Sequence, residues 1–496
     1  MASKDGFSWT ESQGLKAGVP CIGAIQPPTN LNDDSQHGDF DVIVVGAGYA
    51  GLTAVRDASI AGLKVLLLEA RDRIGGRSWS SNIEGYPYEM GGTWVYWNQT
   101  NVWREIARYG MQDELEESYD FSKGIDQFLL SNAQRTQSFS HADEDALMKT
   151  ALEKLVNVDG NLGKTAVPFP HSAKMSAAEL RYDRMTLADR INELRDELTP
   201  NERLCVEAFV LLCSGATLET ASLYEFLHWW ALCDYTYDGL INYLVRYKFH
   251  GGQSSFAIRF FREALATGNL RYAFEQPVAA IKQLEGVRGG AVEVQTRAGR
   301  SFRGRRAICA VPLNVLDNVA FSPPLSPGKR AAASRGHVNQ CVKVHAEVSG
   351  THLRSVTAIS YPHHALIYSL GDGTTPAGNA HIVAFGAQHN HFEPDEDVAR
   401  AVDAFRGLAP AETDMCVRRL VFHNWSKDEY AKGAWFFPPP GLLADHLADM
   451  RAPHGHVFFA CSDWALGWRS FIDGAIQEGA RAVVAVTGSL AGTPSL

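Results

Sequence analysis

Two short runs of apolar, β-branched residues bracket a helical stretch near the start of the chain. DFDVIVVG (39–46) predicts a buried strand, AGLTAVRDASIAG (50–62) carries apolar residues at helical spacing, and LKVLLLEA (63–70) predicts a second buried strand. This strand–helix–strand order predicts a parallel sheet. The middle, 141–250, reads as mostly helical: LADRINELRDELTPNERLCVEAFVLLC and TASLYEFLHWWAL repeat their apolar residues at helical spacing, and Pro200 is placed to open the second of three helices. From 252, GQSSFAIRFFREALA is one more amphipathic helix. LRYAF, VAAIKQL, AVEVQTR, RAICAVP, CVKVHAEV and HVFFACSD then read as strands, and DGAIQEGARAVVAVTG as a helix with Asp473 at its N-cap. Residues 1–38, rich in Gly, Pro, Asn, Asp and Ser, predict an extended arm.

Composition narrows the functional classes. The length of 496 residues suggests two or more domains, and a 45% hydrophobic content suits a large core. The net charge of -10 disfavours nucleic acid as a partner, and no basic block suits an anionic membrane. No apolar run is long enough to span a bilayer, so no membrane anchor is expected, and the first residues carry no secretory signal. Eight cysteines without a C-x-x-C pair imply neither zinc nor a disulfide framework. They predict free buried thiols in an intracellular, cytoplasmic setting. The terminal Leu496 is the one match to a peroxisomal address, which makes that compartment the alternative. The seventeen histidines, among them His389 and His391, lack metal-ligand spacing and are expected on the surface or in loops.

The first chemistry lies in the turn after the first strand. Gly46, Gly48 and Gly51 form G-x-G-x-x-G, with Ala50 in the same turn. Gly46 permits the tight turn, Gly48 lets backbone approach a pyrophosphate, and Gly51 lets the helix pack on the strand. The helix N-terminus then offers N–H groups and positive charge to phosphate. Glu69, ending the second strand, is the expected acceptor from ribose hydroxyls. These features fit FAD and NAD equally.

The next segment separates the two. Glu69, Ala70, Arg71, Gly75, Gly76 and Arg77 form E-A-R-x-x-x-G-G-R, which resembles the signature of the flavin monoamine oxidase family. There it wraps the adenosine and phosphate part of FAD. Arg71 and Arg77 would neutralise phosphate charge. The resemblance runs over roughly residues 5–488 and is nearest to the fungal monoamine oxidase N type, through the amino-terminal arm and HNWSKDEYAKGAWFF. It implies that Gly91, Gly92, Thr93 and Trp94 lie beside the flavin ring and that Val278 meets adenine through its backbone. Trp425 would flank the ring, and Ser462 and Asp463 would meet ribitol and phosphate. Gly474, Ala475 and Ile476 would present a helix N-terminus to the pyrimidine edge.

The implied fold is α/β, a Rossmann-type FAD-binding domain with a discontinuous α+β substrate domain, of the flavin amine oxidase / p-hydroxybenzoate hydroxylase-like kind. The FAD domain would comprise 39–110, 250–318 and 430–489, and the substrate domain 111–249 and 319–429, with a tail at 490–496. The cysteine that tethers FAD in membrane-anchored relatives is replaced by Ala434, so non-covalent FAD is expected. The lysine that many relatives use to hold a water at the flavin is matched by Gln340. Lys343, an odd step further along a strand, is expected to face the other side.

Trp435 and Phe471 match the aromatic pair that stands over the flavin and guides the substrate nitrogen. Phe209, Leu212, Ile241, Leu244 and Val245 are candidate lining of an apolar entrance. Together these features imply an amine oxidase. It would take a small apolar primary amine and molecular oxygen, and yield an imine that hydrolyses to aldehyde and ammonia, with hydrogen peroxide. The alternatives are a polyamine or L-amino acid oxidase of the same fold, or a flavin-free chaperone-like relative. An amino acid oxidase should show an arginine clamp after Gly92, where Thr93-Trp94-Val95-Tyr96 stands instead. Whether the chain forms a homo-oligomer is left open by the sequence.

Overall fold

The computed structural model describes residues 1–31, 40–118, 120–287, 289–410, 413 and 415–492. Leu496, on which the peroxisomal alternative turned, lies outside them, as do residues 32–38 of the expected arm.

Two sheets organise the molecule. In the first, Phe40–Val45 pairs in parallel with Val65–Leu68 on one side and Ser301–Cys309 on the other. Leu270–Ala273 extends it in parallel beyond Val65–Leu68, and Val457–Phe459 pairs with the end of Ser301–Cys309. The central strands are covered on both faces, which is why they are apolar at nearly every position rather than at alternate ones. Val278–Leu284 and Ala291–Thr296 add an antiparallel extension. The Tyr49–Ile60 helix covers one face and packs on Ile472–Leu490 and Gln253–Ala266. The first of these crossings is close enough that a Cβ at Gly479 would sit 2.3 Å from the carbonyl oxygen of Ala50.

The second sheet has nine strands, in the order Gly14–Pro20, Ala2–Thr10, Val417–Phe422, Val342–Val348, Ala380–Gly386, Tyr368–Thr374, Thr357–Ser360, Phe128–Ser131, Thr136–Phe139. Val344, Ala346 and Val348 pack one face against Ala401, Val402 and Phe405 of the Val398–Gly407 helix. The alternate residues of the same strand, Lys343, His345 and Glu347, project from the opposite face.

Three sequence-based expectations change here. Instead of an extended arm, Ala2–Thr10 and Gly14–Pro20 form an antiparallel hairpin that continues the nine-stranded sheet, with Phe7 opposite Phe422 and stacked on it at 5.4 Å. Composition averaged over 38 residues hides the alternating Phe7 and Trp9 that pack on the sheet's core. Asp473 is not the N-cap of its own helix; that position is Phe471. Its carboxylate instead accepts from the backbone N–H groups of Asn101 (2.6 Å) and Val102 (2.9 Å), capping the Thr100–Arg108 helix from outside. His141, His228, His345 and His381 are buried in helices and strands rather than placed on the surface or in loops, because interior hydrogen-bond partners replace water around them, while His337 and His423 lie in loops as expected but are buried there.

The helical middle follows its pattern. Leu187–Glu193, Pro200–Ser214 and Leu223–Leu232 are helices, and Pro200 occupies the first turn of the second. Thr199 caps that helix in a reciprocal box with Glu202, and Gly215 ends it in the left-handed conformation. Among the described residues no helix is long and apolar enough to cross a membrane.

Candidate active site

The turn that follows Val45 is shaped by backbone contacts that only glycine allows. Gly46 has φ +103°, and a Cβ there would lie 3.0 Å from the carbonyl oxygen of Ala310. A Cβ on Gly51 would sit 1.9 Å from the carbonyl oxygen of Gly46, so this residue lets the helix start directly over the strand end. Gly48 and Gly76 face each other closely enough that a Cβ on Gly76 would reach the Cα of Gly48 at 3.0 Å. Glu69 bridges the turn and the following string: its carboxylate accepts from the N–H groups of Ala47 and Arg71 (2.8 Å). Burial raises its pKa above the usual carboxylate range.

A long cavity starts at this turn and runs to the helical layer. Its near part is lined by Gly46, Gly48, Ala50, Glu69, Ala70, Arg71, Gly75, Gly76, Arg77, Val278 and Ser462. Gly91, Gly92, Thr93, Trp94, Trp425 and Ala475 line its middle, and Trp435, Phe471, Phe209, Leu212, Ile241, Leu244 and Val245 its far end. Bare backbone, the guanidinium groups of Arg71, Arg77 and Arg297 and the buried, unpartnered Oε1 of Gln276, which also lines the near part, fit the nucleotide end of a dinucleotide. A Cβ on Gly91 would strike the carbonyl oxygen of Arg77 at 2.0 Å and the Trp425 ring at 3.0 Å, so the backbone can lie against Trp425 only because this residue is glycine.

Five expected contacts lie off the wall. Gly51 acts one step behind it, as described. Asp463 is fully buried, ion-paired with Arg77 and accepting the Leu313 N–H at 2.9 Å, so it orients Arg77 rather than facing the cavity. Gly474 permits the turn before its helix, where a Cβ would meet the carbonyl oxygen of Trp468 at 2.2 Å. Ile476 belongs to the core beneath the first sheet. Gln340 precedes the strand and is held by its N–H to the carbonyl oxygen of Gly215 at 2.9 Å.

Lys343, and not Gln340, lines the cavity. The strand begins at Val342, so its alternation cannot be counted back to residue 340, and the phase set by pairing with Ala380–Gly386 turns Lys343 into the cavity. Its ammonium donates to the carbonyl oxygen of Gly91 (2.8 Å) and to Thr93 Oγ1 (2.7 Å). It lies 5.3 Å from the centre of the Trp94 ring and 5.7 Å from that of Phe385. Burial lowers its pKa to about 8.

The far end is aromatic. Trp435 donates its indole N–H to the carbonyl oxygen of Cys213 at 2.8 Å. Phe471 meets the edges of Trp229 and Trp468 at 4.9 and 5.1 Å. Trp229, Cys213, Tyr368 and Phe385 complete the wall and went unassigned from sequence, because pairing between distant strands and helices brings them there. Among the described residues Glu69, at the opposite end, is the one carboxylate on the wall. Arg71 and Arg77 already have acidic partners: Asp5 and Asp428 for the first, Asp463 for the second. Cys461 lines the wall beside Arg77, and burial pushes its thiol pKa well up.

Residues 49–487 match the family described as flavin containing amine oxidoreductase. The chain is 28% identical to a pseudooxynicotine dehydrogenase of Pseudomonas sp over 443 residues, covering 89% of this chain and 85% of that one. It is 27% identical to a putrescine oxidase of Kocuria rosea, covering 90% and 95%. Its fold is also that of a solved cyclohexylamine oxidase from Brevibacterium oxydans, with a TM-score of 0.70 at 21% identity, covering 92% of this chain and 100% of that one. The glycine-shaped turn, the E-A-R-x-x-x-G-G-R string and the match over most of its length place this chain in the flavin containing amine oxidoreductase family.

Proposed function

We propose that this protein oxidises small apolar primary monoamines with molecular oxygen, using FAD held without a covalent bond. The observation that carries the reading is the far end of the cavity: aromatic and aliphatic side chains, Lys343 at its inner edge, and no carboxylate among the described wall residues there. A second ammonium, as in a diamine, would meet no counter-charge, and a buried unpaired charge costs several kcal/mol by order of magnitude.

Bound FAD supplies the redox chemistry, accepting a hydride equivalent from the amine α-carbon and passing electrons to oxygen. The glycine turn, Glu69, Arg71, Arg77, Val278 and Ser462 would hold its nucleotide part, and Gly91, Gly92, Thr93, Trp94, Trp425 and Ala475 its ring. The Ile472–Leu490 helix directs its N-terminus toward the ring segment through Ala475, where a positive dipole end favours negative charge. Trp435 and Phe471 would receive the amine. Their faces attract the cation, and the surrounding apolar wall then favours the neutral, reactive form. Lys343, held by Gly91 and Thr93, would orient a water or oxygen at the ring. Ala434 at the tethering position and a strongly protonated Cys461 thiol support non-covalent binding. The HNWSKDEYAKGAWFF string supports a place beside the fungal monoamine oxidase N type, and seven buried thiols among eight free ones suit a reducing, cytoplasmic setting.

The test is peroxide release from the purified yellow protein across butylamine, benzylamine, putrescine, spermidine and norleucine. Highest kcat/KM on putrescine, spermidine or norleucine would overturn the reading.

A further inference from the structure

Behind Trp94 lies a buried polar cluster that the chemistry above does not use. The indole N–H of Trp94 donates to Ser118 Oγ at 2.8 Å, and Ser118 Oγ donates in turn to Asp372 Oδ1. Lys248 donates to the Asp372 carbonyl oxygen at 2.6 Å and pairs with its carboxylate at 3.1 Å. Arg354 holds the Ser118 carbonyl oxygen at 2.7 Å and that of Gly371 at 3.0 Å. Ser118, Lys248, Arg354 and Asp372 are all buried.

Asp372 reaches this position through a local irregularity of its strand. Gly371 pairs with Ile382 and Gly373 with His381, so Asp372 is an extra residue in the ladder. A bulge of this kind re-aims a side chain. It is flanked by glycines that nothing larger could replace: a Cβ would lie 1.8 Å from the Arg354 carbonyl oxygen at Gly371 and 2.0 Å from the Tyr86 hydroxyl at Gly373.

His345, His381 and Asp372 bring ligand-type atoms within 4.8 Å of one another, which raises a metal as one reading. The hydrogen bonds argue otherwise. His345 Nε2 faces the Glu89 carbonyl oxygen at 2.6 Å and must donate, which makes its Nδ1 the acceptor from His381 Nε2 at 2.8 Å. His381 Nδ1 then accepts from the Tyr86 hydroxyl at 2.9 Å. Both rings are neutral and their lone pairs are committed, while Lys248 already neutralises the carboxylate. All four ring nitrogens of the two histidines have partners without an ion, and a hydrogen-bonded buried network rigidifies what it holds.

We propose that Asp372, acting through Ser118, is the positioning residue for Trp94: it fixes the indole plane so that one face covers the Lys343 ammonium beside the flavin segment Gly91–Trp94. This rests on the proposed function only for its consequence, that Lys343 serves the oxygen-reacting side of the ring. A Trp94 free to rotate would withdraw that face and leave Lys343 its two hydrogen bonds and the more distant Phe385 ring alone.

The test uses holoenzyme carrying 15N-labelled tryptophan. In Ser118→Ala the Trp94 indole proton, assigned by its loss in Trp94→Phe, should exchange with solvent at least about tenfold faster, and Ser118→Thr should restore the slow rate. FAD content should not change. When flavin reduced by dithionite is mixed with oxygen, Ser118→Ala and Trp94→Phe should each reoxidise about tenfold more slowly, and the double variant no more slowly than either, because the two act as one unit. Asp372→Asn should follow Ser118→Ala. Since it also strips Lys248 of its counter-charge and could cost folding, the Ser118 variants decide the case by themselves. Unchanged indole exchange, or losses that multiply in the double variant, would overturn the proposal. If no amine is oxidised yet exchange and reoxidation change as stated, the proposed function fails and the positioning role of Asp372 stands.

Discussion

The indole of Trp435 is tied to the backbone of Cys213: its N–H meets that carbonyl oxygen at 2.8 Å, in the last turn of the Pro200–Ser214 helix. One wall of the aromatic chamber is thus fixed to the helical layer, while Phe471, the other candidate, sits at the N-cap of Ile472–Leu490 and rests on Trp229. The two rings hang from different elements, so removing one leaves the other in place.

Trp435→Ala and Phe471→Ala should each cut turnover at least about tenfold while FAD content stays near wild type, since ring positioning carries several kcal/mol. An alkylamine has a pKa of about 10.4 in water and must enter or become neutral to react. Rates should therefore rise with pH, and loss of either ring should move that rise to higher pH and lower its plateau. Wild-type pH profiles of kcat in both variants would mean that the rings are only packing.

Flavin attachment is decided by Ala434 and Cys461. The first has no thiol, and the second is a buried thiol whose pKa burial raises well above the usual value, so almost no thiolate forms. Acid precipitation should leave the yellow colour in the supernatant and the intact mass of the polypeptide unmodified. Colour retained in the pellet would contradict this.

The lack of carboxylate or guanidinium among the described residues of the far wall predicts a ranking. Butylamine or benzylamine should exceed putrescine and norleucine in kcat/KM by at least about tenfold, each extra buried charge costing more than about 1.4 kcal/mol. Introducing a carboxylate by Leu212→Glu should narrow the gap for putrescine and widen it for norleucine. Competition kinetics with mixed substrates measures both.

Arg71 is held by Asp5 and Asp428, and Asp428 also pairs with His423. Burial acts to raise both carboxyl pKa values, but the arginine charges outweigh it (Arg73 and Arg71 at Asp5, Arg71 at Asp428), so both lie below the usual range. Carboxylates depressed in this way add stability that is full above their unfolded pKa of about 3.9 and is lost as pH falls below it. Asp428→Asn should destabilise the protein by about 3–5 kcal/mol at neutral pH, because it leaves a buried guanidinium short of a partner. The loss should shrink toward pH 3. Urea midpoints measured at pH 7 and pH 3 test the sign; an equal loss at both would show that the charge pair is not its source.

What could be read in the sequence follows from the range of the interactions involved. The strand–turn–helix with Gly46, Gly48 and Gly51 is a short contiguous pattern: Gly51 answers Gly46 itself and Gly46 the end of the neighbouring strand, while Gly48 answers Gly76 of the string that follows. So is the Thr199–Glu202 box that opens the Pro200 helix. An odd step counted from Gln340 puts Lys343 on the wrong face because strand phase depends on where pairing starts, and Ala380–Gly386, far along the chain, decides that. Asp463 and Asp473 each sit in the expected string but serve another segment, Arg77 in one case and the Thr100–Arg108 helix in the other. A motif identifies such a carboxylate without saying which of several nearby donors it will satisfy. Asp372 carries no local signal, since its role comes from a bulge defined only by the partner strand.

The hairpin Ala2–Pro20 has a consequence for the order in which the molecule can be completed. Its first strand pairs with Val417–Phe422, while Asp5 reaches back to Arg71 and Arg73. The hairpin therefore has no sheet edge to join until a strand far later in the chain has emerged from the ribosome. Until then Arg71 lacks Asp428 and the wall lacks Trp425, Trp435, Ser462, Phe471 and Ala475. A nascent chain can close its Rossmann unit early, yet the chamber is assembled only after these later segments have emerged, so cofactor capture follows them rather than the Rossmann unit alone.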